Sequence, residues 1–313
     1  MKLKLKNFTI LIGFVILAYI LYLIDLKLML EILKSAKPLP VLLAGVISLL
    51  TIILMNIRWA RIISICKIKI NFLYSLKSLS KGIALGIITP GRIGEFYRAK
   101  YLKDINKKSW GMNFSTVVID RIFDLITLLF LGALCGVILV NNYFVEIPLL
   151  LIVGFSISLI FFLILFLNKK NAKNILMPIF NIMVPKKYKK KMNFHFEEFY
   201  EGIKKIRTLN YFEGFLYTLG IWFLNVVTFY LISYSLGLNA GFWFIALIAP
   251  VMVLLNLIPI SVSGLGTVQA LSIFFLGLIG ASSEQAIAFS FLFIFIGMWI
   301  YALPGIVLFI LKR

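Results

Sequence analysis

Histidine occurs once and cysteine twice in the 313 residues. Structural metal sites need about four such ligands at regular spacings, so His195, Cys66 and Cys135 carry no metal-site signature. Two isolated cysteines give no disulfide framework either. Acidic residues are scarce: 12 Asp and Glu stand against 32 Lys and Arg, a formal net charge of +20. No phosphate-loop sequence of the nucleotide-hydrolysing kind is present, so ATP hydrolysis is not expected to drive the chain. No cofactor-binding motif is found, and no cofactor is expected.

What fills the chain is apolar: 62% of residues are hydrophobic, against roughly 45–50% in soluble domains. Continuous apolar spans read at 8–24, 39–57, 114–140, 147–167, 211–235 and 285–311. Two further segments, 82–102 and 242–280, are apolar but interrupted. A helix needs about 20 apolar residues to cross hydrocarbon, so the expected fold is all-α and polytopic, with six full spans and two broken or re-entrant segments. With the N-terminus inside, 28 of the 32 Lys and Arg fall in cytoplasmic segments or in a break entered from the cytoplasm. That asymmetry follows the positive-inside rule and places both termini in the cytoplasm, at the cell membrane. The basic surplus then faces anionic lipid headgroups. No nucleic-acid motif accompanies it. The first span follows Lys2, Lys4 and Lys6 as a signal sequence would, yet no small-residue cleavage site follows Ala18, so it reads as an uncleaved helix.

The order of crossings divides one membrane domain, 1–313, into halves 1–143 and 144–313 that repeat the same elements in opposite orientation. Inverted repeats whose broken helices meet near the midplane are a recurring transporter plan. The one long polar stretch is the basic loop 168–210. Within it Phe196, Phe199, Tyr200, Ile203 and Ile206 recur at helical spacing. This amphipathic helix either lies in the headgroup plane or covers the ends of the spans.

Three segments carry polar chemistry into apolar surroundings. The first is Pro90-Gly91-Arg92-Ile93-Gly94-Glu95. Proline removes a backbone donor, the glycines allow close approach, and Arg92 offers a planar fork matched to phosphate. A helix restarting near Ile93 would aim its N–H groups at an anion. Arg98 lies one to two turns further on. The competing reading is a tight loop with charges facing water, but Ile83 to Thr89 is too apolar for an exposed loop. The second segment is Asp120-Arg121-Ile122-Phe123-Asp124, whose three charges share a helix face. An intramembrane network with Arg92 or Glu95 would account for them, as would a structural pair that fixes helix register. The third runs from Asn256 through Pro259, Ser263, Gly264 and Gly266 to Gln269: uncharged, but rich in backbone breaks and hydroxyls. Taken alone it reads as a kinked helix with packing glycines; paired with the first break, its freed backbone groups and hydroxyls could line a polar path.

Together and in this order, the segments resemble the flippase-like family of integral membrane proteins related to the membrane region of lysylphosphatidylglycerol synthases. The resemblance rests on Pro90 to Glu95, on Arg121-Ile122-Phe123-Asp124 and on Ser263-Gly264-Leu265-Gly266-Thr267-Val268-Gln269, with Arg58-Trp59 as a further match. Ser263 stands where the family pattern has a glycine, and Gln269 where it has an acid. The resemblance implies a protein that moves lipids, or lipid-linked groups, between leaflets. The larger synthases append a soluble aminoacyl-transfer domain; this chain ends at Arg313 after a span, and that activity is not expected of it.

The expected function is therefore a lipid flippase or scramblase and not an enzyme, its partners anionic or phosphate-bearing membrane lipids. Arg92 and Arg98 would bind phosphate, and Glu95, Asp120 and Asp124, with Arg121, would balance charge around the headgroup. A membrane enzyme acting on a lipid phosphate or lipid-linked sugar is the alternative, as is an ion or solute transporter. The topology has a direct test. Cysteines introduced at Lys186 and Ser283 should react with impermeant reagents from opposite sides of the membrane; labelling of both from one side would refute it.

Overall fold

The computed structural model describes residues 18–143, 186–205, 208–256 and 266–311, with isolated positions between 153 and 171. Among them every regular element is helical. Leu26–Lys34 forms α1, capped by Asp25, whose carboxylate accepts from the N–H groups of Lys27 and Leu28. Pro38–Ile65 is α2, and its prolines lie at the first helical positions, where a missing N–H costs nothing. Phe72–Ile87 is α3, followed by a 3₁₀ segment at Pro90–Tyr97, then α4 at Arg98–Ile105 and the long α5 at Trp110–Tyr143. Lys186–Lys204 is α6, Thr208–Ser235 α7, Phe242–Asn256 α8 and Thr267–Gly277 α9. Ser283–Ile294 forms α10, which continues through a π segment at Phe295–Trp299 into α11 at Ile300–Ile310.

Four helices are long and apolar enough to cross a bilayer: Pro38–Ile65, Trp110–Leu139, Phe212–Ser235 and Ser283–Ile310. The expected spans 39–57, 114–140, 211–235 and 285–311 each fall on one of them. Most of the expected span 8–24 and nearly all of 147–167 lie outside the described residues. The interrupted region 242–280 contains two shorter apolar helices, α8 and α9, while Pro259, Ser263 and Gly264 lie outside the described residues.

Bilayer as solvent explains how side chains are sorted. Along α2, Leu39, Leu42, Leu43, Val46, Leu49, Leu50, Ile53 and Ile57 are exposed. The buried stripe of the same helix holds Ser48, Thr51, Asn56 and Arg58. Hydrocarbon accepts the aliphatic face, and polar groups must find partners inside the protein.

Helices α2 and α7 run antiparallel along each other. The N–H of Lys37 donates to the carbonyl of Ser235 at 2.9 Å, Gly220 faces Leu54, and Arg61 pairs with Glu213 at 3.0 Å. The helices flanking this central pair also pack in matching ways. Against α3 packs α11, with Gly305 close on the Ser80 carbonyl; against α5 packs α8, with Gly132 against Leu254. Among the described residues, the lengths of α2, α3, α4 and α5 run long, shorter, short and long, and α7, α8, α9 and the joined α10 and α11 follow the same order.

Two sequence readings change. The second span continues past residue 57 to Ile65, so Arg58 sits inside a helix and not at its end. No α-helix restarts at Ile93; the 3₁₀ segment begins at Pro90, and the α-helix begins at Arg98. In the basic loop, Phe199, Tyr200 and Ile203 are buried. Their helix, α6, packs on the first turns of α5, where Gly111 meets the His195 backbone and Gly202 meets Ser115.

The antiparallel pairing is open to cross-linking. A Leu54→Cys/Gly220→Cys variant should be joined efficiently by a short bis-maleimide, whereas Leu54→Cys/Ser235→Cys should not. Equal yields from both pairs would contradict the register.

Candidate functional site

The break after α3 is a hairpin held by small residues. Thr89 replaces the lost helical bonds: its hydroxyl donates to the Leu85 carbonyl at 3.0 Å and accepts from the N–H of Gly94 at 2.8 Å. A Cβ at Gly94 would strike the Leu85 carbonyl, and one at Gly86 would strike the Glu95 side chain. Only glycine lets the 3₁₀ segment fold this tightly onto α3. Arg92 adopts φ +55, the left-handed region that few non-glycine residues enter. That turn delivers Glu95, buried, toward α5.

Seven charged side chains from four elements converge there. Asp120 lies at the centre, accepting from Arg58 Nε at 2.8 Å and from Arg98 Nη2 at 2.6 Å, with Arg121 Nη2 at 3.1 Å. Asp124 takes Arg58 Nη1 at 2.6 Å and Arg121 Nη2 at 2.9 Å. Glu95 meets Arg121 Nη1 at 2.9 Å and Arg92 Nη1 at 3.7 Å. Arg58 Nη1 also donates to the hydroxyl of Thr218 on α7 at 2.8 Å. The Arg98 guanidinium stacks over the Trp59 ring, 4.7 Å from its centroid.

Burial grades across this cluster. Arg58, Arg98 and Asp120 are fully buried; Arg121 is 19% exposed, Asp124 27% and Arg92 49%. Three enclosed guanidinium groups thus face three carboxylates. Arg92 is a fourth guanidinium at the open edge. Asp120 lies ten residues into α5, about 15 Å along the axis at 1.5 Å per residue.

All six residues expected at the site, Arg92, Glu95, Arg98, Asp120, Arg121 and Asp124, come together. Arg98 is turned toward Asp120 and Trp59, so its guanidinium is already engaged. Arg58 and Thr218 are the members that sequence reasoning missed as site residues. Arg58 follows the expected span 39–57 and so reads from the sequence as a flanking charge, although apolar residues on its helical face signal burial.

The start of α9 has a different chemistry. Gly266, at φ +84, precedes α9, and its N–H donates to Gln269 Oε1 at 2.7 Å. Gln269 is fully buried, and its Nε2 has no hydrogen-bond partner among the described residues. The amide caps this helix without adding charge. No group of His, Cys, Asp and Glu able to hold a metal ion occurs among the described residues.

Comparison with known proteins bears on the whole chain. Residues 10–305 match the family described as the lysylphosphatidylglycerol synthase TM region. Curated relatives are described as UPF0104 membrane proteins. One from Methanothermobacter thermautotrophicus is 26% identical over 314 residues, covering 95% of this chain and 92% of that protein. One from Methanocaldococcus jannaschii is 30% identical over 238 residues, covering 71% of this chain and 91% of that protein. A second from the same organism is 33% identical over 134 residues, and the match spans 42% of this chain and 40% of that relative's length.

Removing the shared acceptor should be costly. Asp120→Ala leaves Arg58 and Arg98 buried without their common carboxylate, a loss of about 3–5 kcal/mol for breaking a buried pair. Asp124→Asn, at a partly exposed position, should cost less. Thermal unfolding in detergent checks both, and a parental melting temperature for Asp120→Ala would contradict the arrangement.

Proposed function

Because this chain belongs to the family of the lysylphosphatidylglycerol synthase TM region, we propose that it moves phosphate-bearing lipid headgroups between the leaflets of the cell membrane, as a flippase or scramblase. The observation that carries this reading is the broken hairpin: a self-neutralised ion cluster inside the helices, with Arg92 half-exposed at its edge. The enclosed charges hold one another and require no further counter-ion. Arg92 has a 3.7 Å contact with Glu95, and Glu95 keeps Arg121 at 2.9 Å.

That exchange is the proposed step. A phosphate arriving at the break takes the Arg92 fork, which matches two of its oxygens. Glu95 loses its weaker partner and retains the stronger one, so no buried carboxylate is orphaned. The headgroup is sheltered between the hairpin and the neighbouring helices while its acyl chains stay in lipid. Arg98, fixed by Asp120, positions the cluster and leaves headgroup binding to Arg92. Movement is downhill or coupled to an ion gradient. Both termini face the cytoplasm, where the basic surplus of the chain meets anionic lipid. An enzymatic role fits less well, since Glu95, Asp120 and Asp124 are each held by guanidinium groups and are poorly placed for proton transfer.

Arg92→Lys keeps the charge and loses the planar fork; Arg92→Ala loses both. Transport of a fluorescent phospholipid analogue in proteoliposomes should fall in the order parent, Arg92→Lys, Arg92→Ala. The alanine variant should be about tenfold or more slower, the weight of one hydrogen bond to a charged group. A parental rate for Arg92→Ala at matched protein density would refute the reading.

A further inference from the structure

A small pocket beside the ion cluster contains no residue of the hairpin. Arg58, Arg61 and Ile65 of α2 and Glu213, Gly214 and Tyr217 of α7 line it. Arg58, Arg61 and Ile65 share one helix face, as do Glu213 and Tyr217, and the antiparallel pairing brings the two faces together. Phe123 of α5 forms a further wall: a Cβ on Gly214 would strike its ring, so this glycine sets how closely α5 approaches α7. The enclosed space holds about one water molecule and opens to the surface. Along α2, Arg61 lies about 36 Å from Lys37 at 1.5 Å per residue. That exceeds the roughly 30 Å of hydrocarbon, so the pocket opens at headgroup level.

Two arginines bring unused donors to this place. The Nε and Nη1 of Arg58 are held by Asp120, Asp124 and Thr218. Its Nη2 is buried and makes no hydrogen bond among the described residues. A buried donor on a charged group is costly to leave without a partner, and native interiors keep few of them. Arg61 is half-exposed and spends only its Nε, on the two oxygens of Glu213 at 3.0 and 3.1 Å. Its two terminal nitrogens make no hydrogen bond among the described residues. Among the lining residues one acid stands against two arginines. Behind them, three enclosed guanidinium groups balance three carboxylates, so the cluster sets no net negative charge against an anion.

We propose that this pocket is an oxyanion site at headgroup level, separate from the hairpin, and that it takes a phosphate ester or a phosphate ion. One oxygen, about the size of the water that the pocket can hold, enters and accepts from Arg58 Nη2. The rest of the group stays at the mouth, on the terminal nitrogens of Arg61, whose planar fork suits two phosphate oxygens. Glu213 competes for the same guanidinium and repels the anion, so it sets the affinity from the rim. The site does not depend on the chain moving lipid. The competing account is that water fills the pocket and that the Arg61–Glu213 pair only ties α2 to α7.

Phosphatidic acid binding to the purified full-length protein in detergent, measured by native mass spectrometry in an Arg92→Ala background, isolates this pocket from the hairpin. Arg61→Ala should weaken that binding about tenfold or more, the weight of a hydrogen bond to a charged group, and Arg61→Lys should weaken it less. Glu213→Gln removes the competing carboxylate and should strengthen it about two- to fivefold, the weight of an exposed ion pair. The increase separates a ligand site from a helix tie, for which both substitutions lower the melting temperature and leave binding unchanged. Inorganic phosphate that displaces the lipid identifies the ion as sufficient; its failure to displace identifies the ester. Binding that ignores both Arg61→Ala and Glu213→Gln would overturn the site. So would a complete loss of binding in Arg92→Ala while the parent binds, and in that case the headgroup reading of the hairpin stands. If Arg92→Ala binds and transports as the parent does while Arg61→Ala loses binding, the hairpin reading falls and the pocket stands.

Discussion

One carboxylate organises the interior. Asp120 accepts from guanidinium groups on α2 and α4 and lies beside a third on its own helix. An ion moved from water to a low-dielectric interior is severely penalised unless its partners are well placed. The penalty acts as a constraint on assembly: α2, α4 and α5 must meet in one register, or several charges are stranded together. Thr218 extends the same requirement to α7. In a bilayer, apolar surfaces gain little from meeting one another, because lipid tails solvate them equally well. The polar centre therefore carries an unusual share of the specificity of packing.

Small residues make the approach possible. The glycines at 86 and 94 let the hairpin lie flat on α3, and those at 111 and 202 let α6 settle onto α5. At each place a single added carbon would meet a neighbouring backbone or side chain. Charge pairing and glycine contacts are thus one arrangement: the first requires short distances, and the second supplies them. Phe114 forms part of the join between them, stacking with Phe96 behind the hairpin and lying 6.0 Å from the Phe199 ring of α6.

Much of this was legible in the chain. Apolar length alone marked four helices that the structure describes, and the proline and glycines at 90–94 marked the break. The charges at 120, 121 and 124 pointed to an intramembrane network because their spacing puts them on one face. What escaped was long-range. Arg58 is followed within a few residues by Arg61 and Lys67, so it reads as the basic flank of a span; only the partner helices reveal that it is interior. Arg98 was legible as a cation but not as one already committed to Asp120. The 3₁₀ geometry of the hairpin depends on Thr89 reaching forward to Gly94, a local bond that composition does not announce. The apolar face of α6 was readable, but its surroundings were not, because a lipid surface and a neighbouring helix accept the same residues.

The two breaks have consequences for sidedness. A perfect inverted repeat would present the same chemistry to either face of the membrane. Here one break supplies Arg92 and Glu95, and the helix after the other opens on a glycine and a glutamine. The helices flanking α2 and α7 pair alike, α3 with α11 and α8 with α5, while the ion cluster is confined to the hairpin, α2, α4 and α5. A charged group near the hairpin therefore meets a field that the start of α9 does not reproduce. A few side chains thus give similarly packed helices unlike electrostatic surroundings.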